Sequence, residues 1–192
     1  MREPTLYRII RPVLTFLFKI GFHPKIIGKE NIPIEGKCIL AGNHKSNFDC
    51  VLVFASTKRT IHYLAKEELS KGILGFIFNG FGIIPVHRKG KDKAALKSAI
   101  HYLNKDRLIG IFPEGKRNKK GDNLLPFKIG AVKMAFETNS PIVPFSIIGK
   151  YNILGKGVTI VFDKPYKVET DNLEEENLLL MNKINKMILE RR

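Results

Sequence analysis

The sequence predicts an α/β fold, a mixed and largely parallel central sheet flanked by helices, with an amphipathic helical segment at its N-terminus. Three observations carry this expectation. Short apolar runs of strand length alternate with segments of helical spacing along most of the chain, the pattern that a parallel sheet with crossover helices writes into a sequence. Three polar turns, 43–49, 87–88 and 113–118, each follow such an apolar run, and polar groups gather at the carboxyl ends of strands in sheets of this kind. The 192 residues, 44% of them hydrophobic, contain no repeat, low-complexity tract or linker, so a single core is expected. The expected division is a helical segment over 1–24 and an α/β domain over 25–192.

Residues 5–22 read as the first helix. Arg8, Arg11, Thr15 and Lys19 fall within about 80° on a helical wheel, and nearly everything else there is large and apolar. The pattern fits a membrane-association helix with its cations at lipid phosphates and Phe16, Leu17 and Phe18 below them. It fits equally a helix packed on the core with its stripe in water, and Pro12 marks a possible kink. Residues 23–36 form a Gly/Pro-punctuated connection with one short strand at 25–28. Strands are expected at 37–41, 61–65, 82–86, 108–112, 141–148 and 158–162. Helices are expected at about 47–56, from 66 to about 79, over 93–105 behind an Asp92 cap, over 127–138, and from Asp171 onward. In the last of these, Glu174 stands three residues after Asp171 in capping-box spacing. The acidic start and basic end of that helix both suit its dipole.

The charge balance bounds the partners. With 33 basic and 18 acidic residues the formal net charge is +15, a surface that seeks polyanions such as nucleic acid, anionic headgroups or an acidic carrier protein. No nucleic-acid motif accompanies it. Two cysteines, Cys38 and Cys50, lie in apolar stretches, which fits a reducing compartment rather than a disulfide framework. No Cys or His spacing of metal-site type occurs, so no metal and no bound cofactor are expected. The longest uncharged stretch, Gly72 to Val86, is 15 residues with four glycines, an asparagine and a proline, too short and broken to cross a bilayer.

The turn Asn43-His44-Lys45-Ser46-Asn47-Phe48-Asp49 is the chemical centre of the chain. On one continuous helix His44 and Asp49 would lie about 140° apart. They meet if His44 sits in the loop and Asp49 in the first helical turn, with Ser46 or Asn47 as N-cap. Asp49 then orients one imidazole nitrogen and leaves the other free to act as a base. The other polar turns add Arg88 and Arg117, which can clamp a phosphate bidentately. They also add Glu114, an acceptor for a substrate hydroxyl, and Gly115, which lets backbone approach a ligand. A base beside a phosphate clamp points to activation of an alcohol on a phosphorylated substrate. No serine occupies a nucleophile elbow, and the apolar flank of Cys50 makes it a structural thiol rather than a nucleophile.

Four ordered blocks carry a resemblance. Asn43 to Asp49 fits the pattern N-H-x-S-x-x-D. Gly82-Ile83-Ile84-Pro85-Val86-His87-Arg88 ends in arginine. Phe112-Pro113-Glu114-Gly115-Lys116-Arg117-Asn118 is similar to F-P-E-G-T-R-S, and Pro141-Ile142-Val143-Pro144-Phe145 places prolines in a hydrophobic strand. On these blocks residues 37–150 resemble the glycerolipid acyltransferases that make phosphatidic acid, the 1-acyl-sn-glycerol-3-phosphate acyltransferases. Ala65-Lys66-Glu67-Glu68-Leu69 and Phe127 to Ala131 also look like family stretches.

The resemblance implies direct transfer without an acyl-enzyme. His44 takes the proton from the 2-hydroxyl of a lysophosphatidate as it attacks an acyl thioester, and Asp49 holds the imidazole. Arg88, Glu114, Gly115 and Arg117 bind the glycerol phosphate. The region of Lys66 supplies the oxyanion donor, and Pro144 shapes the acyl-chain or acceptor pocket. Lys116 and Asn118 depart from the threonine and serine common in the family. The implied partners are a lysophospholipid acceptor, acyl-CoA or acyl carrier protein as co-substrate, and an anionic membrane surface, with no nucleic acid. The implied location is the cytoplasmic face of the cell membrane, peripherally bound. A sister enzyme acting on glycerol 3-phosphate or another lysophospholipid is the alternative. A non-catalytic basic lipid- or nucleic-acid-binding protein is a further one, which leaves the His44/Asp49 and Glu114/Arg117 blocks unexplained.

Overall fold

The computed structural model describes residues 5–66, 83–86, 92–119, 123–153 and 157–191. Among the described residues seven strands form one sheet in the order β1-β7-β6-β2-β5-β3-β4. They are β1 (Lys25–Ile27), β2 (Cys38–Gly42), β3 (Ile61–Lys66), β4 (Ile84–Val86), β5 (Leu108–Ile111), β6 (Ile142–Ile148) and β7 (Thr159–Phe162). Strands β6, β2, β5, β3 and β4 run parallel, while β7 pairs antiparallel to β6 and carries β1 alongside it. The expected mixed, largely parallel sheet is the observed one.

Parallel strands covered on both faces read as continuous apolar runs, and β2 shows why. Ile39 and Ala41 point to one face of the sheet, and Cys38 and Leu40 to the other. The first face carries α3 (Asp92–Leu103), α4 (Gly130–Thr138) and α5 (Leu173–Leu189). Ala99, Leu103, Val132, Met134, Leu180 and Ile184 fill the space between. The second face carries α1 (Thr5–Phe22) and α2 (Asp49–Phe54), with Phe18, Leu52 and Val53 against Leu40, Ile61, Val143 and Phe145.

The helix ends differ in detail from the expectations. Phe48, not Ser46 or Asn47, stands at the N-cap position of α2, and it makes no side-chain cap bond. Ser46 Oγ instead accepts from the Phe48 N–H at 3.3 Å, and the Ser46 carbonyl accepts from the Asp49 N–H at 3.2 Å. The capping box of α5 is displaced by one residue. Asn172, not Asp171, accepts from the Glu175 N–H, and its amide donates to Glu175 Oε2 at 3.0 Å. The helix expected from 66 to about 79 lies outside the described residues, apart from Lys66, which ends β3.

The sequence left the orientation of α1 open, and the structure gives a third arrangement. Arg11, Thr15, Phe18 and Phe22, spaced i, i+4, i+7 and i+11, turn toward the domain. Arg11 donates to the Lys58 carbonyl at 2.9 Å and lies over the Phe54 ring. Phe18 is 6% exposed, whereas Phe16 and Leu17 are 63% and 58% exposed, with Val13 and Ile20 beside them. The outward face is therefore apolar, and part of the cationic stripe is spent on the protein itself. No helix among the described residues is long and apolar enough to cross a membrane.

Topology locates the site. The chain leaves β2 through α2 on one face of the sheet and leaves β5 through α4 on the other. β2 and β5 are neighbours. Where adjacent parallel strands send their connections to opposite faces, a crevice opens at their carboxyl ends. The turns 43–49 and 112–118 both start there.

Candidate active site

His44 is fixed at every polar atom of its backbone and by one face of its ring. Its N–H donates to Glu114 Oε1 at 2.8 Å, and its carbonyl accepts from the Asn118 N–H at 2.7 Å. Its imidazole stacks on Phe112, centroids 4.1 Å apart and planes 16° from parallel, and Phe112 stacks in turn on Tyr63. The turn after β5 thus grips the turn after β2 across 70 positions of sequence.

Asp49 opens α2 and is fully buried. Its Oδ2 lies 2.8 Å from His44 Nδ1 and also accepts from the N–H groups of Lys45 at 2.6 Å and Ser46 at 2.8 Å. A carboxylate oxygen that already gathers two N–H donors is an acceptor toward the ring as well. In the neutral ring Nδ1 therefore carries the hydrogen and Nε2 the lone pair. The pair meets as the spacing requires, with His44 in the loop and Asp49 in the first helical turn. Two groups outside the sequence-predicted set complete it. Tyr151 donates its phenol to Asp49 Oδ1 at 2.6 Å. Asn43 splices the turn onto β6, accepting from the Ile147 N–H at 2.7 Å and donating to the Ile147 carbonyl at 3.0 Å. Asn43 stands inside the first sequence block, whereas nothing in the sequence marks Tyr151, 102 residues from its partner.

Glu114 is 4% exposed. Besides the His44 N–H, its carboxylate accepts from the Leu125 N–H at 3.0 Å. Both oxygens hold backbone, so the carboxylate joins three loops. Gly115 has φ of +67°, the left-handed region in which a side chain is strained. It closes the turn by donating to the Phe112 carbonyl at 3.0 Å. Arg117, in the same turn, is exposed and makes no side-chain hydrogen bond among the described residues. Beside this turn lies a cleft of about 470 Å³, walled by Asn43, Lys45, Glu114, Asn118, Ile147 and Arg191.

The remaining expected residues are placed less closely. Lys66 ends β3, two strands from β2 and at the same carboxyl edge. Arg88 lies outside the described residues. Pro144 is buried within β6 opposite Ala41. Its carbonyl accepts from the Asp163 N–H at 2.8 Å, one residue beyond the last β6–β7 pair, and the N–H that proline lacks leaves this last bond without its return partner. Burial, and secondarily the adjacent Asp49, push the Cys50 thiol up to about 12. It stays protonated near neutrality, when a thiolate is the form that attacks. Among the described residues no three His, Cys, Asp or Glu side chains converge on a metal position.

An imidazole with one nitrogen anchored on a buried carboxylate and the other carrying a lone pair, set at the crevice of an α/β sheet, can remove a proton from a hydroxyl. The chain belongs to the acyltransferase family, whose model matches residues 23–148. The 1-acyl-sn-glycerol-3-phosphate acyltransferase of Borreliella burgdorferi is 32% identical over 145 residues, covering 74% of this chain and 58% of that protein. The enzyme of the same name from Bacillus subtilis is 28% identical over 146 residues, covering 75% of this chain and 72% of that one. The chain thus spans little more than half the length of the Borreliella relative. The crystal structure of the 1-acyl-sn-glycerophosphate (LPA) acyltransferase, PlsC, from Thermotoga maritima matches all of this chain and 84% of its own, with a TM-score of 0.75 at 24% identity. At that identity the likeness establishes the fold.

Proposed function

We propose that this protein transfers a fatty acyl group from an acyl thioester to the sn-2 hydroxyl of 1-acyl-sn-glycerol 3-phosphate, forming phosphatidic acid. The single observation that carries the reading is the His44–Asp49 pair, Nδ1 to Oδ2 at 2.8 Å, in a chain of the acyltransferase family. The names of the relatives from Borreliella burgdorferi and Bacillus subtilis support the choice of acceptor.

His44 Nε2 takes the hydroxyl proton as the oxygen attacks the thioester carbonyl. The C–O bond forms, the carbonyl electrons pass to an oxyanion, and the collapse of that intermediate breaks the C–S bond. The imidazolium returns its proton to the departing thiolate, so an ester and a free thiol leave together and no acyl-enzyme forms. Asp49 holds the ring in the productive tautomer and offsets the imidazolium charge. Arg117, with Arg88, binds the acceptor phosphate, and Gly115 lets backbone approach it. Lys66, at the carboxyl edge of β3, supplies the donor for the oxyanion. Glu114 holds the His44 backbone in register beneath the acceptor. The donor is acyl-CoA or acyl carrier protein, both polyanionic and both matched to a net charge of +15. The apolar outer face of α1 docks on the cytoplasmic face of the cell membrane, which places the crevice beside its lipid acceptor.

The test is turnover with purified protein on vesicles containing lysophosphatidate, with both donor types over a range of chain lengths and with glycerol 3-phosphate and other lysophospholipids as rival acceptors. Phosphatidate is the expected product. His44→Ala is expected to lower turnover by roughly a thousandfold with the circular dichroism unchanged. Product from a rival acceptor alone overturns the choice of substrate, and a near-normal rate in His44→Ala overturns the base.

A further inference from the structure

The buried Asp49 carboxylate divides its duties. Oδ2 takes three groups, Lys45 N–H, Ser46 N–H and the imidazole. Among the described residues Oδ1 has one partner, the Tyr151 hydroxyl at 2.6 Å. A carboxylate can turn about its terminal torsion and exchange its oxygens, because that torsion is broad and roughly two-fold. The two oxygens are equivalent, so a full half-turn restores the same contacts, but a partial rotation lifts Oδ2 off the ring and loosens the angle at which Nε2 meets a hydroxyl. A donor clamped on Oδ1 opposes that rotation.

The clamp is itself held. Tyr151 follows the end of β6 by way of Gly149, whose φ is +84°. The Lys45 ammonium donates to the Gly149 carbonyl at 3.2 Å, tying that turn to the His44 loop. The phenol ring is packed by Phe22 at 5.7 Å, Phe18 at 6.3 Å and Phe48 at 5.6 Å between centroids. Three aromatic neighbours fix the ring, and its hydroxyl points at the one oxygen of Asp49 that the backbone leaves open. Burial and the neighbouring Asp49 charge raise the phenol well above its ordinary range, so it remains a donor at any working pH.

We infer that Tyr151 is a positioning residue of this enzyme, acting on catalysis through Asp49 by locking the carboxylate that orients His44. The inference rests on the acyl-transfer reading of the His44–Asp49 pair. It adds a tyrosine supplied from beyond the fourth sequence block. It also makes the aromatic cluster beneath α1 part of the catalytic support, since Phe18 and Phe22 belong to that helix.

The test is Tyr151→Phe, which keeps the ring and its packing and removes only the donor. The expected result is a roughly tenfold fall in kcat. KM for acceptor and donor should stay within about twofold, and the melting temperature should change by no more than a few degrees. The discriminating readout is the cycle with Asp49→Asn. With the carboxylate gone, adding Tyr151→Phe should cost nothing further, because groups acting through one another are non-additive. The same fractional loss in both backgrounds, an unchanged kcat, or a loss that appears only in KM overturns the inference. A second measurement does not depend on turnover: the low-field proton resonance of the His44 Nδ1–H in wild type and Tyr151→Phe. A shift or broadening supports the lock, and an identical signal overturns it. Should His44→Ala retain full activity, the acyl-transfer base falls on that result, while the resonance still decides the role of the tyrosine.

Discussion

At the scale of single residues, Glu114 and Arg117 separate two duties that a motif writes side by side. The sequence assigns both to the substrate. In the fold, Glu114 is buried and both of its oxygens accept backbone N–H groups, while Arg117 stands exposed three residues on. Glu114→Gln keeps the size but turns one acceptor into an NH₂ donor that faces an N–H. One buried backbone donor is then unpaired, at about 1–3 kcal/mol. In a domain of this size that lowers the melting temperature by roughly 2–10 °C. Where the donor left unpaired is the His44 N–H rather than that of Leu125, kcat should fall as well. Arg117→Ala should leave the melting temperature within about a degree and, on the proposed phosphate-binding role, raise the acceptor KM roughly tenfold by removing one charge-assisted contact. Scanning calorimetry and steady-state kinetics on the two variants check both. A Glu114→Gln protein that melts normally and is altered only in KM would return the carboxylate to the substrate.

At the scale of elements, α1 shows what a sequence can and cannot say. Its existence and length were legible from the periodicity of residues 5–22, and so were most strands and helices to within a few residues. Which side faces inward was not. Both sides of the helix carry large apolar groups, so the cationic stripe was the only marker, and Arg11 turned out to satisfy the Lys58 carbonyl and the Phe54 ring. Similarly, the His44–Asp49 pairing was legible because a loop-to-helix offset of five can bring the two together. Tyr151 was not, because a contact spanning 102 residues leaves no local trace. The observed orientation carries a prediction. Phe16 and Leu17 project outward and would each gain roughly 1.5–3 kcal/mol on entering an apolar layer. The double variant Phe16→Ser, Leu17→Ser should therefore weaken vesicle binding at least tenfold in a sedimentation assay, with the melting temperature unchanged or raised. Phe18→Ser is the contrasting control, expected to destabilise the fold because that ring lies within the core.

At the scale of the whole molecule, sheet order and charge act together. The connections leaving β2 and β5 part to opposite faces, and that opening is where the His44 and Glu114 turns meet; α1 and α2 share the face on which the His44 imidazole rests against Phe112. On the proposed acyl-transfer reading, a lipid acceptor that approaches along α1 would reach the imidazole from the same side. In the proposed membrane attachment, the net charge of +15 would supply a second, longer-ranged attraction to an anionic bilayer, of about 1 kcal/mol for each cation held near the surface. The two contributions respond differently to salt. The screening length falls from about 10 Å at 0.1 M to about 3 Å at 1 M, which removes the charge contribution and leaves apolar insertion intact. Binding to anionic vesicles should accordingly drop by one or more orders of magnitude over that range and level off at the affinity for zwitterionic vesicles. In the Phe16→Ser, Leu17→Ser protein the plateau should vanish while the steep part remains. Wild-type binding that is equally tight at both salt concentrations would assign attachment to α1 alone, and binding that disappears entirely at high salt would assign it to charge alone.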